Sequence, residues 1–360
     1  MASIEQAIDR RIGEVRTETL DLSYGEIANL YSNQELVIQP DYQRLFRWSL
    51  EQRSRIIESI LLELPIPQIF VIENENGVIE LIDGLQRVSS VIQFIDASLL
   101  ELDPLVLAGC DLIPELNGQS FSTLALSLKL RLKRSSVRTI VIKRQSSSML
   151  RYEMFKRLNT GGSILASQEI RNCTARMLGE PGVKFYSFLQ KCAGLPSFQE
   201  CSEPLSQSDK DQRGDEELVL RFFAVKNAQA MFAGNVRDWL DDYMEAVLLG
   251  RAEFNYGREE EAFSKLFGFL NRTIGAGAFV RYRGTTPVGA LAPAYFEAVT
   301  MGTLRAMPDI EAVDAEDFRR VIRETVQGEI FRSFTGPGAN SKEKLESRIY
   351  TIYQALSALI

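Results

Sequence analysis

Ile82-Asp83-Gly84-Leu85-Gln86-Arg87-Val88-Ser89-Ser90 joins a strand predicted over residues 78–82 to a helix predicted to begin near Arg87. The Asp-Gly pair is typical of a tight turn, and Gly84 would let the main chain approach a ligand. A helix N-terminus presents unpaired N–H groups and a positive dipole end, which suit a phosphate group. Arg87 can bind an anion and Asp83 can hold a divalent cation or orient a water. The same residues also fit an ordinary strand–turn–helix with a solvated arginine.

A second polar loop lies upstream of this junction. It reads Gln39-Pro40-Asp41-Tyr42-Gln43-Arg44-Leu45-Phe46-Arg47-Trp48 and is dense in aromatic, amide and arginine side chains. One interpretation is a loop that covers an edge of the core with its aromatic rings. The functional interpretation places Gln43 and Arg44 in the same pocket as Gln86 and Arg87.

The residues around these two loops predict alternating short strands and amphipathic helices. Strands are predicted near residues 19–22, 36–38, 69–72, 78–82 and 137–142. Capping boxes at Ser23 and Ser49 predict helices that follow them, and the second helix carries an apolar face at helical spacing. Residues 126–133 alternate apolar and polar side chains and fit either a helix or a strand.

A predicted helix over residues 148–158 stops at Asn159-Thr160-Gly161-Gly162. This tetrapeptide fits a simple helix cap and turn. It also fits a polar loop whose bare backbone faces a ligand. Another helix is predicted over residues 165–178.

The second half of the chain has a different pattern. Residues 180–214 are rich in Pro, Ser, Gly and Gln, which predicts a domain boundary or a long connection. From residue 215 onward the pattern is helical, with amphipathic segments around 236–248, 259–270, 288–302, 315–326 and 341–357. We therefore expect an α+β domain over residues 1–180, with a small mixed sheet and helices, and an all-helical domain over residues 181–360.

Charge is distributed unevenly along the sequence. The formal net charge is −7, which argues against a general nucleic-acid coat. Between Leu116 and Tyr152, however, there is no Asp or Glu and there are eight cationic residues. Four of them are the candidate DNA-binding residues Lys129, Arg131, Lys133 and Arg134. The alternative is an ordinary solvated face.

Several absences restrict the chemistry. The sequence contains no histidine, which excludes Ser-His-Asp triads, Cys-His pairs and histidine-dependent nucleases within these 360 residues. The four cysteines, Cys110, Cys173, Cys192 and Cys201, form no C-x-x-C pair, so we expect reduced, inert thiols. The charged N-terminus and the lack of an 18-residue apolar run predict a cytoplasmic protein without a membrane span.

Six motifs occur in a fixed order. They are Pro40-Asp41-Tyr42-Gln43-Arg44 with Trp48; Glu58-Ser59-Ile60-Leu61-Leu62 with Pro65 and Pro67; Asp83-Gly84-Leu85-Gln86-Arg87; Phe155 with Leu158-Asn159-Thr160-Gly161-Gly162; Glu169 with Arg171-Asn172; and Asp215-Glu216-Glu217-Leu218-Val219-Leu220-Arg221-Phe222-Phe223. In this order they resemble the N-terminal domain family of GmrSD-type restriction endonucleases, domain of unknown function 262.

The resemblance implies a core like that of ParB and sulfiredoxin. It also implies binding, and in some relatives hydrolysis, of nucleoside triphosphates in bacterial defence against phage with modified DNA. The family signature Asp-Gly-Gln-Gln-Arg maps onto Asp83, Gly84, Gln86 and Arg87, and its first Gln is Leu85 here. Restriction members often carry a C-terminal His-Asn-His nuclease, which these residues cannot form. Cleavage would then come from a separate nuclease subunit.

Together these observations give an expected site. The catalytic candidates are Asp83, Gln86 and Arg87, and Asp83 is also the candidate Mg²⁺ ligand. The nucleotide-binding candidates are Gln43, Arg44, Gly84, Arg87, Asn159, Gly161 and Gly162. Three functions compete. The first is a Mg²⁺-dependent module that binds or hydrolyses a nucleotide and is coupled to DNA. The second is a DNA-binding module, and the third is a regulatory, partner-docking protein with a degenerate nucleotide site; each could form oligomers.

Overall fold

The computed structural model describes Ile4 and residues 16–38, 48–74, 76–144, 167–336 and 338–360. The chain divides into two compact units, Met1–Gly161 and Gly162–Ile360. The expected boundary after residue 180 assigns the helix Ser167–Met177 to the first domain, whereas in the structure this helix belongs to the second unit. The physical reason is that Arg171 on this helix pairs with Glu217 and Asp241 of that unit.

The described residues of the first unit contain a five-stranded mixed sheet in the order β1-β5-β3-β4-β2. Its strands are β1 (Thr17–Ser23), β2 (Leu36–Val37), β3 (Ile69–Glu73), β4 (Ile79–Asp83) and β5 (Ser136–Ile142). β1 is antiparallel to β5, β5 is parallel to β3, β3 is antiparallel to β4, and β4 is parallel to β2. A sheet of mixed direction with helices confirms the predicted α+β class.

The strand register places the C-terminal ends of β2 and β4 on the same side of the sheet, which we call the Asp83 edge. Asp83, the last residue of β4, lies opposite Phe70 near the start of β3. Because β2 runs parallel to β4, the chain leaves Ile38 toward the edge at which Asp83 lies. β5 runs the other way, so the chain leaves Ile142 at the opposite edge of the sheet.

The described residues of the first unit form the helices α1 (Tyr24–Ser32), α2 (Leu50–Leu61), α3 (Leu85–Ile95) and α4 (Leu126–Arg134), of which α1 and α2 follow the predicted caps. The Ser23 hydroxyl accepts a hydrogen bond from the Glu26 N–H, and Ser49 and Gln52 form both hydrogen bonds of a capping box. The ambiguous segment 126–133 is a helix. It buries one side chain, Leu132, and ends in three cations that favour a helix C-terminus.

The core of the first unit lies between the sheet and α1, α2 and α3. Val88, Val91 and Ile92 of α3 are completely buried, as the predicted apolar face requires. Leu81 and Ile82 of β4 are buried as well. The strand and the helix that meet at Gly84 are therefore both anchored in the same core.

In the part of the second unit that the structure describes, the regular elements are helices and one hairpin, β6 (Arg281–Arg283) and β7 (Thr286–Val288). Its helices are α5 (Ser167–Met177), α6 (Glu180–Ala193), α7 (Pro196–Cys201), α8 (Gln207–Asp211), α9 (Gly214–Ala228), α10 (Val236–Leu248), α11 (Tyr256–Thr273), α12 (Pro293–Ala306), α13 (Ala315–Gln327), α14 (Glu329–Thr335) and α15 (Lys342–Ser357). The segment 180–214, for which we expected a domain boundary or a long connection, contains α6, α7 and α8. Phe185, Phe188, Leu189 and Cys192 form a buried stripe at helical spacing on α6, which the surrounding Pro and Ser residues concealed.

α9 occupies the centre of this unit. Every residue from Leu218 to Val225 is buried, including Arg221, so the helix has no solvent-facing side over these turns. A helix enclosed on all sides shows little amphipathic pattern. This explains why α9 is strongly apolar and yet carries an arginine that needs buried partners.

The membrane prediction can be tested only on the described residues. Among them, no helix combines the length and the apolar character that crossing a bilayer requires.

Candidate functional site

The turn between β4 and α3 is built around Gly84. α3 begins at Leu85, two residues before the predicted start, and Gly84 is its N-cap residue. No side chain caps this N-terminus among the residues that the structure describes. The first N–H groups of an α-helix have no partner within the helix, so the first turn of α3 keeps its capacity for an anion.

Gly84 is required by local geometry. Its φ of +104° lies in the region that side-chain-bearing residues rarely adopt, and an added Cβ would come within 2.5 Å of the Ile69 methyl carbon Cγ2. Ile69 fills the space on the side where a Cβ would stand. The close approach of the main chain to a ligand at Gly84 remains a prediction.

Arg87 is held by three acceptors. Its Nη2 donates to Asp83 Oδ2 at 2.9 Å, and its Nη1 donates to the carbonyl oxygens of Pro67 and, at 3.0 Å, of Gln68. The side chain is 13% exposed and that of Asp83 is 39% exposed. Arg87 thus ties the end of β4 to the segment that leads into β3, a contact that the sequence alone did not predict.

Gln86 connects the junction, residues 83–87, to the upstream loop. Its Oε1 accepts a hydrogen bond from the Trp48 N–H at 3.2 Å. Ile38, on the other side of the loop, is completely buried and follows a strand that runs toward the Asp83 edge. Gln43 and Arg44 lie outside the described residues, but the residues that flank this loop on both sides are fixed near the junction.

The side chain of Leu85 packs into the core of the first unit and is 6% exposed. At this position the family signature has Gln. Because the side chain points into the hydrophobic core, the change to Leu removes no polar group from the partly exposed Asp83 and Arg87 side chains. Leu85 is explained by packing.

Asn159, Gly161 and Gly162 also lie outside the described residues. The chain leaves β5 at the end of the sheet opposite Asp83. Their part in the site remains a prediction.

Asp83 is a candidate metal ligand by itself. Across the described ranges, no group of three or more Cys, Asp or Glu side chains could hold a metal ion. One Asp83 oxygen binds Arg87, and the carboxylate is partly exposed. These donors fit Mg²⁺ only as one ligand to an ion that is otherwise held by phosphate and water.

The sequence was compared with protein families, curated proteins and solved structures. Residues 27–175 match the family described as GmrSD restriction endonuclease, N-terminal domain. This segment is a GmrSD N-terminal domain. The comparisons with curated proteins and with solved structures gave no significant match.

The match confirms the predicted family. A GmrSD N-terminal domain indicates a component of a restriction or phage-defence system. The matched range includes the junction, the upstream loop and α5, whereas the motif at residues 215–223 lies beyond it. The likeness to ParB and sulfiredoxin remains a prediction.

The four candidate DNA-binding residues of the GmrSD N-terminal domain, Lys129, Arg131, Lys133 and Arg134, all lie on α4. Lys129 donates to the carbonyl of Ser122 and lies over the Phe121 ring, and Arg131 pairs with Glu63 at 3.1 Å. Lys133 and Arg134 are exposed. A nine-residue helix with four cations is a compact positive surface.

Three of the motif residues, Arg171, Glu217 and Arg221, take part in an ion-pair network in the second unit. Arg171 on α5 donates to Glu217 Oε2 at 2.9 Å and to Asp241 Oδ1 at 2.7 Å. Arg221 on α9 donates to Glu217 Oε1 at 3.2 Å and to Glu297 Oε1 at 2.7 Å. The network ends at Arg348 on α15, which donates to the other oxygen of Glu297.

The ion-pair network, Asp241, Arg171, Glu217, Arg221, Glu297 and Arg348, alternates in charge and sums to zero. Buried charges are tolerated when each is paired and hydrogen-bonded. The network joins five helices, because its members come from α5, α9, α10, α12 and α15. We infer that Arg171 and the acidic start of α9 serve packing. The sequence signal was an arginine within the apolar run of residues 218–225.

Two adjacent glutamates on α9 have opposite environments. Burial raises the pKa of Glu216 despite the nearby Arg213 and the Asn172 amide. Burial would also raise the pKa of Glu217, but the charges and hydrogen bonds of Arg171 and Arg221 outweigh it and lower the pKa. Ionisation of the Glu216 carboxyl therefore lowers the stability of the folded protein, whereas ionisation of the Glu217 carboxyl raises it.

The same isosteric change should act differently at these two positions. At pH 7, Glu217→Gln is expected to lower the free energy of unfolding by about 1–2 kcal/mol, whereas Glu216→Gln should leave it unchanged or slightly raised. The loss at position 217 should fade as pH falls from about 4.3, the pKa of glutamate in an unfolded chain, through the lowered pKa of the native carboxyl, because below that pKa wild-type Glu217 is itself protonated. Urea denaturation of both variants across pH measures this. Equal losses at both positions would contradict the assignment.

Proposed function

We propose that the first unit is a nucleoside-triphosphate-binding module of a restriction or phage-defence system, with the phosphates bound at junction 83–87. The observation that carries this proposal is the uncapped N-terminus of α3 with an arginine in its first turn. The helix dipole and the N–H groups of the first turn favour an anion there, and the arginine adds a formal charge.

Arg87 can serve the fold and a ligand at once. A guanidinium group has five N–H donors, and three of Arg87's donor contacts are made to Asp83, Pro67 and Gln68. The other donors have no acceptor among the described residues. Because the existing contacts fix the plane of the guanidinium group, a phosphate would meet a pre-oriented donor, which lowers the entropic cost of binding.

The loop at residues 39–47 would supply the second cation. Ile38 directly follows β2, which pairs with β4, and the Trp48 N–H donates to Gln86. Arg44 and Gln43 would then contact the phosphates. Two guanidinium groups suit the charge of a nucleoside triphosphate better than the Asp83–Arg87 pair alone, which is neutral overall.

Mg²⁺ fits this proposal as an ion held mainly by the nucleotide. It would neutralise phosphate charge and bridge phosphate oxygens, with Asp83 as its one carboxylate. Gln86 or Gln43 would orient a water if hydrolysis takes place. Leu85 does not count against hydrolysis, because its side chain packs in the core.

DNA binding through α4 is the second candidate, and it is compatible with the first. The observation that favours it is the placement of Lys129, Arg131, Lys133 and Arg134 on one helix of a domain whose family belongs to restriction endonucleases. A phosphate-contacting surface predicts that DNA affinity falls steeply with added salt. A separate nuclease subunit would supply cleavage.

A thermal-shift screen tests the nucleotide proposal directly. We expect one or more of ATP, GTP, CTP and UTP, with Mg²⁺, to stabilise the protein. A ligand at a hundred times its Kd adds about 2.7 kcal/mol to the free energy of unfolding. Phosphate release would then separate binding from hydrolysis. If none of the four raises the melting temperature, the regulatory alternative with a degenerate site is favoured.

A further inference from the structure

A pocket of about 460 Å³ lies in the first unit, between the end of α2, the end of α4 and the start of β5. Ile60, Leu64 and Ile66 form its apolar lining, together with the ring of Tyr24. Its polar lining comes from Arg131, Arg134, Ser135 and Ser136. The pocket is distinct from junction 83–87, none of whose residues lines it.

The polar lining matches a tetrahedral oxyanion. Arg131 and Arg134 bring two guanidinium groups to one pocket, and Ser136 brings a hydroxyl that can donate. The sequence around them, residues 117–151, contains no Asp or Glu. Arg134 has no ion-pair partner among the described residues and is exposed, so it is available to a ligand.

Glu63 is the one acidic residue of the pocket, and its backbone is unusual. It follows α2 with φ of +58°, in the left-handed region that usually holds Gly or Asn at the end of a helix. The Leu64 N–H bonds the Ser59 carbonyl and the Glu63 N–H bonds the Ile60 carbonyl, as in a Schellman motif. A glutamate here is disfavoured, yet it places its carboxylate 3.1 Å from Arg131.

We propose that this pocket binds a phosphate group, and that the Glu63 carboxylate competes with it for Arg131. Both Glu63 and Arg131 are more than half exposed, so their ion pair is weak and can open without unfolding the helix ends. A phosphate carries more charge than a carboxylate and can contact both arginines, so it can displace Glu63.

The test uses the whole protein, inorganic pyrophosphate and a short DNA duplex. Calorimetry at low salt should show that Glu63→Asn raises pyrophosphate affinity about threefold, because Asn accepts the left-handed backbone but removes the competing charge. Arg134→Ala should lower the affinity about tenfold. If the phosphate group comes from a polynucleotide, Arg134→Ala should also weaken duplex binding and reduce its salt slope by about one.

Two variants control for net charge. Glu101→Asn makes the same change at another left-handed glutamate, φ +56°, and Arg138→Ala removes a cation from the same basic stretch outside the pocket. Both should leave pyrophosphate affinity unchanged. The pocket proposal is overturned if each control variant changes the pyrophosphate affinity as much as the pocket variant to which it is matched. It is also overturned if none of the four variants changes that affinity. Nucleotide binding at junction 83–87 would be unaffected by that result.

Discussion

Glu297→Ala is expected to lower the free energy of unfolding of the second unit by about 3–5 kcal/mol. Glu297 is 3% exposed and accepts hydrogen bonds from Arg221 and Arg348, one on each carboxylate oxygen. Its removal leaves Arg348 without its carboxylate partner and leaves Arg221 with Glu217 alone. The penalty for an unpaired buried charge far exceeds the net value of the pair itself.

The second unit can be observed separately by fluorescence. The chain has two tryptophans, and Trp239 is buried in the second unit while Trp48 belongs to the first. In a Trp48→Phe background, urea denaturation followed by tryptophan emission reports on the second unit. The change in the urea midpoint multiplied by the slope gives the loss of stability.

Two comparisons distinguish the ion-pair network from charge in general. Asp317→Ala breaks an exposed pair with Arg320 and should cost less than about 1 kcal/mol. Replacing Arg221, Glu297 and Arg348 together by leucine should cost less than Glu297→Ala alone, because no unpaired charge remains. If Glu297→Ala costs no more than Asp317→Ala, the network does not hold the helices together.

Arg87→Ala is expected to abolish measurable nucleotide binding in the proposed site. The change removes a guanidinium group from the first turn of α3 and frees the Pro67 and Gln68 carbonyls from their shared donor. If the protein hydrolyses nucleotide, an arginine at a phosphoryl-transfer site is worth roughly 10³-fold or more in rate. Calorimetry with the nucleotide found in the thermal screen gives the affinity directly.

Arg55→Ala is the matched control for this experiment. Arg55 also donates to a loop carbonyl in the first unit, that of Gly109, but lies on α2. Its loss should affect stability and leave nucleotide affinity unchanged. Arg87→Lys should restore part of the binding, because it keeps the charge but not the planar fork. An Arg87→Ala protein with wild-type affinity would rule out junction 83–87 as the phosphate site.

Local sequence signals predicted the junction well. The strand, the Asp-Gly turn and the helix that follows all occur, because each depends on neighbouring residues alone. The start of α3 was misplaced by two residues, since Leu85 reads as part of a polar turn until its burial in the core is known. The contact of Arg87 with residues 67 and 68 depends on the fold and has no sequence signature.

The ion-pair network shows where sequence reasoning stops. Arg171, Glu217 and Arg221 were recognised as family residues, but their partners Asp241, Glu297 and Arg348 lie in segments without any motif. The separation between Arg171 and Glu217 alone is 46 residues. Pairing over such distances follows from the packing of five helices, which no local periodicity specifies. These three residues carried the family resemblance, and the contacts that they make are structural.

The pairing of β1 with β5 affects how the first unit is made and how it can be cut. β1 is the first strand of the sheet to leave the ribosome, but the strand beside it, residues 136–142, is the last. Until β5 is synthesised, β1 has no neighbour and one edge of β3 stays open. Open edges invite pairing between molecules. Recombinant fragments of this unit that lack β5 should therefore aggregate. In fragments that retain residues 136–142, β3 has a partner strand on both sides.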